Sequence, residues 1–355
     1  MLCGVLCLML ALTLAAPLSA LGEDRQIVIT FLGDCTIGGE DRLREREDSF
    51  DGYLRRYGMD YFFEKVQGVI AHDDLTVANL EGIFANNIGG RVEGKTYRFR
   101  APVSYTEVLT GSSVECVNVA NNHSLDYRDT GLRKTVRALE KAGISWFGSN
   151  IVFRQSYVFM QKGIKIGFLG TELNYWRSNQ KTLQKQIESL KKKGCKVIVA
   201  SLHGGQEYYE LHNKSQENAA HWLVDNGCQI VIGHHPHVPQ GIEIYKGATI
   251  CYSLGNFVFG GNAVIKRVRA RFSGLFQFTF SFDEKGKYLG HQLNIIPAFV
   301  SSDAEVNTYQ PYLVTGTDAA LVMQTIQKDT GFTLKPYVEN VGAVQDFVPA
   351  PEKKK

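Results

Sequence analysis

The sequence predicts an α/β fold with mixed sheets. Three observations predict it. Short apolar, β-branched runs recur along the chain, amphipathic helical patterns lie between them, and histidine, asparagine and acidic residues collect just past the ends of the runs. Alternating strands and helices build sheets whose faces helices cover. Sheets of this kind place their sites beyond the strand ends.

The runs are residues 27–32, 75–78, 117–120, 164–169, 197–202 and 230–232. Each stops at a turn or polar cluster: Gly33-Asp34, Asn79-Leu80-Glu81-Gly82, Asn121-Asn122-His123, Gly170-Thr171-Glu172, His203-Gly204-Gly205 and Gly233-His234-His235-Pro236-His237. A β-branched run bounded by a turn residue reads as a buried strand. Helical periodicity is expected over residues 60–70, 131–142, 182–193 and 215–226. After Pro239 the texture changes. Residues 242–245, 248–252, 272–282 and 292–296 read as strands with hairpin turns and suggest a second, more antiparallel sheet. A last helix is expected over 319–327, and the tail 349–355 reads as disordered.

The chain has 355 residues, 44% of them hydrophobic and 21% charged, enough apolar material for a sizeable core. A net charge of +3 is too small to argue for nucleic acid as a partner. Residues 1–20 carry no charged side chain and close on Leu18-Ser19-Ala20, ahead of Gly22-Glu23-Asp24-Arg25. They read as a secretory signal peptide cut after Ala20, or as a retained anchor, and place the protein in the periplasm or outside the cell. Of seven cysteines, Cys35, Cys116, Cys195, Cys228 and Cys251 would remain, an odd set without a CxxC pair. Buried free thiols are expected, not a disulfide framework. No linker separates two domains. One domain over 26–300, followed by a C-terminal helix and tail over 301–355, fits the pattern.

The chemistry sits at the strand ends. His123, His203, His234, His235 and His237 all fall there, whereas His72, His212, His221 and His291 read as surface or packing residues. Asp34 and Glu81 supply anionic oxygens, Asn122 an amide oxygen, and His203, His235 and His237 imidazole nitrogens. Such a mixed nitrogen and oxygen set suits one or two divalent ions, Zn, Mn or Fe, in a hydrolytic site. Three imidazoles within four positions, around Pro236, are the most specific signal.

As an ordered set, Gly33-Asp34, Asn79-Leu80-Glu81, Phe99-Arg100-Ala101-Pro102, Ala120-Asn121-Asn122-His123, residues 203–208, residues 233–238 and residues 252–257 resemble the bacterial capsule-synthesis CapA family. That family is associated with poly-γ-glutamate capsules and is a branch of the calcineurin-like metallophosphoesterases. The resemblance covers roughly residues 27–259. It implies a four-layer αββα sandwich and a two-metal site. Carried over by position, Asp34 and His237 would bind the first metal, Glu81 would bridge, and Asn122, His203 and His235 would bind the second. His123 would stand beside them, to stabilise charge on a substrate oxygen or protonate a leaving group.

One departure stands out. The superfamily has Asp-x-His at the first strand, whereas Asp34 is followed here by Cys35-Thr36. Glu207, four residues past His203, would compensate or else form an ion pair, and His234 is a further candidate for metal or substrate. Arg267, Arg269 and Arg271 would share one face of a strand, to receive an anionic polymer or phosphate or to guard a sheet edge. Residues 86–95 read as a flexible loop near Glu81, either a lid or plain surface.

The resemblance thus implies a metal-dependent hydrolase of envelope-polymer metabolism. Its partners would be an anionic envelope polymer or phosphoester substrate and capsule-synthesis membrane proteins. A general exported phosphoesterase and a non-catalytic polymer- or partner-binding protein of capsule export are the alternatives.

Overall fold

The computed structural model describes residues 25–149, 156–267 and 269–351. The expected signal segment, Cys3, Cys7 and residues 352–355 lie outside them. In chain order the strands are β1 (Arg25–Cys35), β2 (Leu75–Leu80), β3 (Ile83–Phe84), β4 (Arg100–Ala101), β5 (Cys116–Asn118), β6 (Ser145–Phe147), β7 (Ser156–Gln161) and β8 (Ile164–Glu172). There follow β9 (Val197–His203), β10 (Ile230–His234), β11 (Ile242–Tyr245), β12 (Ala248–Cys251), β13 (Phe272–Phe282), β14 (Tyr288–Phe299), β15 (Tyr312–Leu313), β16 (Ala343–Val344) and β17 (Val348–Pro349).

Two sheets hold most of them. The first runs β15-β14-β13-β1-β2-β5-β6, with β16 and β17 also on β14; the second runs β11-β12-β10-β9-β8-β7. Strands β1, β2, β5 and β6 are mutually parallel, as are β8, β9, β10 and β12. Their carboxyl ends therefore share one edge of each sheet.

The period-2 pattern decides how the sheets stack. Ile27, Ile29 and Phe31 of β1 join Val197 and Val199 of β9 and Ile230 and Ile232 of β10 in one core between the sheets. The alternate residues face outward. Leu32, and Cys35 beyond the register shift between Phe31 and Asp34, pack with Leu132, Val136 and Leu139 of the helix Arg128–Lys141, on the outer side of the first sheet. Ile198, Ala200 and Val231 pack with Ile187 and Leu190 of the helix Leu173–Lys192 and with Ala220 and Leu223 of the helix Lys214–Asp225. Helices, sheet, sheet, helices: the four-layer αββα sandwich stands. The C-terminal helix Gly316–Lys328 buries Ala319, Val322 and Ile326 in the core between the sheets.

Three expectations need correction. The antiparallel strands after Pro239 do not form a sheet of their own: β11 and β12 extend the second sheet beside parallel β10, and β13 and β14 extend the first beside β1. Residues 60–70 are not one helix but two 3-10 turns, Asp60–Phe62 and Glu64–Val66, followed by the short helix Gln67–Ile70. Adjacent Phe62 and Phe63 are both fully buried, and a regular α-helix would turn one of them about 100° away from the other. At the start of the tail expected to be disordered, Pro349 pairs with Gly290 in β17 and the Ala350 N–H donates to Leu289 O at 2.8 Å, while residues 352–355 of that expectation lie outside the described residues. The five cysteines in the described residues are free, four of them buried, as expected.

His291, expected to be a surface or packing residue, lies in β14 and packs in the core. Its Nε2 meets Thr249 Oγ1 at 2.6 Å and its Nδ1 meets the Tyr288 hydroxyl at 2.6 Å. Burial pushes its pKa down to about 4. An unfolded histidine titrates near ~6.5, so above that both states are neutral and the group adds no pH dependence. As pH falls from ~6.5 towards ~4, the unfolded chain takes up a proton that the folded chain refuses, and stability drops by roughly 3 kcal/mol in all. Urea unfolding between pH 7 and 4, with chelator present throughout, is expected to show a shallower acid loss in His291→Gln than in the wild type. Parallel curves would contradict this.

Candidate metal centre

Two close approaches bring the strand ends together. A Cβ on Gly33 would lie 2.2 Å from the Gly255 carbonyl oxygen, and one on Gly233 would lie 2.0 Å from that of Tyr252. Only glycine at both positions lets the segment 252–257 cross the ends of β1 and β10. The segment then ties in Asp34, whose N–H donates to Gly255 O at 2.9 Å and whose carbonyl accepts from the Phe257 N–H at 2.8 Å. Asn256 Nδ2 donates to His237 O and Ala270 O, each at 3.1 Å. The strand-end motif at 252–257 is thus a clamp on the two elements that carry Asp34 and His237.

Asp34 and Glu81 are both fully buried. Asn79 joins them, donating through Nδ2 to Asp34 Oδ1 at 2.9 Å and to Glu81 Oε1 at 3.0 Å. Its own oxygen accepts from Asn118 and Asn121. Around the carboxylates stand the imidazoles. His234 Nδ1 is 3.1 Å and His237 Nδ1 3.0 Å from Asp34 oxygens. His203 Nε2 lies 3.0 Å from Asn122 Oδ1, and the His203 and His235 ring centres are 4.9 Å apart. His235 and His237 hold φ of +98° and +59°, in the left-handed region that non-glycine residues avoid. Strain of this kind collects at functional sites.

Two triads each bring ligand atoms within 4.8 Å of one another: Asp34, Glu81 and His203, and Glu207, His235 and His237. This partly regroups the expected sets. Asp34 meets His237 and His203 meets Asn122, as the resemblance implied, and Glu207 joins the cluster. His234 brings Asp34 an imidazole from β10, where the first strand lacks one.

The residues fit a divalent ion. Among the described residues, Glu81 Oε2 and His235 Nδ1 are buried and without a hydrogen-bond partner. A buried carboxylate oxygen with no donor is costly, and a cation is the group that removes the cost. The protonation pattern agrees. Burial and then the Asp34 charge hold Glu81 well above the ordinary carboxylate range. Burial raises Asp34 too, but His234 and His237 outweigh it and keep it well below that range. Burial, then the charges of neighbouring histidines, hold His203 well below the ordinary imidazole value and bring His235 to about 4. Neutral imidazole is the form that binds metal.

His123 lies beside the cluster and is buried. Its Nδ1 is 2.8 Å from Asp126 Oδ2, so Nε2 is the nitrogen left for a substrate. Lys95 pairs with Asp126 and donates to Asn122 O at 2.6 Å, while the Phe99 ring lies 4.3 Å from the imidazole. Residues 86–95 are therefore fastened to the site at their end. Asp126 stands three residues past His123, a spacing that could have signalled it. Lys95 and Asn79 gave no comparable signal.

Two cavities reach the cluster, and no residue lines both. One, of about 370 Å³, is lined by Asn122, His203 and His235 together with Arg177. The other, of about 410 Å³, is lined by His123, Glu207 and His237 together with Tyr97, Tyr208 and Arg267. The basic run is corrected here. Residues 266–270 precede β13, and Arg269 has φ of +62°, so the three arginines do not share a strand face. Arg267 lies over the Tyr208 ring at 4.2 Å, whereas Arg269 and Arg271 stack on Phe272 and Phe299.

Comparison with known proteins bears on the family of the chain. The model of the bacterial capsule synthesis protein PGA_cap family matches residues 28–261. The chain is 29% identical over 258 residues to the capsule biosynthesis protein CapA of Bacillus anthracis, covering 67% of this chain and 61% of that protein, short of two thirds of its length. It is 28% identical over 301 residues to the PGA biosynthesis protein CapA of Bacillus subtilis (strain 168), covering 79% and 76%. It is also 26% identical over 238 residues to a 2',3'-cyclic-nucleotide 2'-phosphodiesterase/3'-nucleotidase of Haemophilus influenzae, covering 56% and 35%. With the family model spanning all the strand ends that build the cluster, the chain belongs to the bacterial capsule synthesis protein PGA_cap family.

Proposed function

We propose that the protein is an exported, metal-dependent hydrolase that acts on an anionic, poly-γ-glutamate-like polymer during capsule or envelope synthesis. The observation that carries this reading is the cluster of two buried carboxylates and four histidines, three of them buried and His235 half-buried, with unmet ligand atoms on Glu81 and His235, beside the His123–Asp126 pair. Asp34, Glu81, Asn122, His203, His235 and His237 would hold one or two ions of Mn, Zn or Fe, with Glu207 and His234 close by. Bound there, a divalent ion supplies Lewis acidity and makes water a nucleophile near neutral pH. His123 exchanges a proton with the substrate at Nε2, because Asp126 holds Nδ1.

The family and the names of the Bacillus relatives support the polymer. The apolar, uncharged residues 1–20 support export, with membrane proteins of capsule synthesis as neighbours. A phosphoester is the second reading, and the name of the Haemophilus influenzae relative favours it. The test is turnover by the metal-loaded protein on γ-linked glutamate chains beside a panel of phosphomonoesters and phosphodiesters. Cleavage of γ-glutamyl bonds supports the first reading and phosphoester turnover alone supports the second. Silence on both, with polymer still bound, would leave a non-catalytic binding protein.

A further inference from the structure

The geometry points to a substrate that crosses the cluster, with one anionic group seated on Arg177 and another on Arg267. This rests on the proposed reading of the cluster as the reacting centre and adds how the chain lies in it.

Each cavity ends on different members of the cluster: His203 and His235 for one, His237 and Glu207 for the other. Each also presents a guanidinium with no carboxylate partner among the described residues. Arg177 is held by neutral groups, donating to Asn174 Oδ1 at 3.2 Å and Ser215 Oγ at 3.0 Å. Arg267 lies over the Tyr208 ring, 4.2 Å from its centre. The other arginines of the larger cavity are already neutralised, Arg42 by Glu40 and Arg46 by Asp48. An unpaired guanidinium fixed by neutral acceptors or an aromatic face is prepared for a carboxylate or phosphate oxygen.

A substrate with a single anionic group would use one of the two. A chain with charges on both sides of the scissile bond uses both, and its reacting bond then lies inside the chain, not at its end. Arg177 and Arg267 are thus specificity-determining positions and take no part in holding the metal.

The test is binding by the metal-loaded full chain, read as fluorescence polarisation within seconds of mixing. The probes are an end-labelled ten-unit γ-linked glutamate chain and a ten-unit glycerol phosphate chain. Arg177→Gln and Arg267→Gln are each expected to weaken ten-unit binding by about tenfold or more, and the double variant by about the product, with metal content unchanged. Wild-type affinity for both ten-unit chains in either single variant would overturn the inference. Failure of the wild type to bind either chain would overturn it too. Binding of the glycerol phosphate chain alone, with the same dependence on both arginines, would uphold the crossing and remove the polyglutamate reading.

Discussion

Glu81→Gln is expected to abolish stoichiometric metal binding while making the metal-free protein more stable. Glu81 is fully buried, one of its oxygens has no hydrogen-bond partner among the described residues, and its carboxyl is held well above the usual range by burial and by Asp34. Without a cation the charged form is a liability. Glutamine removes that charge and can donate to Asp34. The expected gain in the metal-free state is on the order of 1–3 kcal/mol, the usual cost of leaving a buried polar group unmet. With metal the sign reverses, because the variant lacks an anionic ligand. Affinity is expected to fall by at least about 100-fold, beyond the usual effect of losing an outer partner of a ligand. Unfolding in urea with chelator and with added Mn or Zn reads both effects. A variant less stable in chelator and unchanged in metal affinity would show that Glu81 serves packing alone.

His123→Ala is expected to cut turnover by about 10²–10⁴-fold, the range of general acid–base assistance, and to leave metal content intact. The imidazole touches Asp126, Lys95 and Phe99 but is not one of the ligand triads. Asp126→Asn is expected to give a smaller loss, since it frees Nδ1 without removing the ring. Metal analysis beside steady-state kinetics separates the roles. Loss of metal in His123→Ala would make it a ligand, and unchanged turnover would remove it from the reaction.

How much of this was legible in the sequence follows from the range of each signal. The six strands that carry the site announce themselves because they are buried on both faces and end abruptly in polar residues. Their ligand candidates follow, since Asp34, Glu81, His203 and His234 lie within or one residue beyond their strands. Short strands such as Ser145–Phe147 have too few residues for a period to show. The basic run misled because alternation in sequence says nothing about where a strand begins, and a left-handed residue at Arg269 ends the extended pattern. Lys95 and Asn79 escaped for another reason. Lys95 reaches His123 across 28 positions from a loop, and Asn79 matters only because it lies between two carboxylates that the fold brings together. Such roles exist only in three dimensions. The same holds for His234, whose contact with Asp34 spans 200 positions and offsets the histidine missing after Asp34.

The most direct test of the account is the metal content of the purified protein together with its melting temperature with and without chelator. The account predicts one or two equivalents of Mn, Zn or Fe per chain, a melting temperature that falls on chelation, and loss of both properties in His235→Ala. A protein that binds none of these ions after equilibration with each, and melts at the same temperature in chelator, would contradict it.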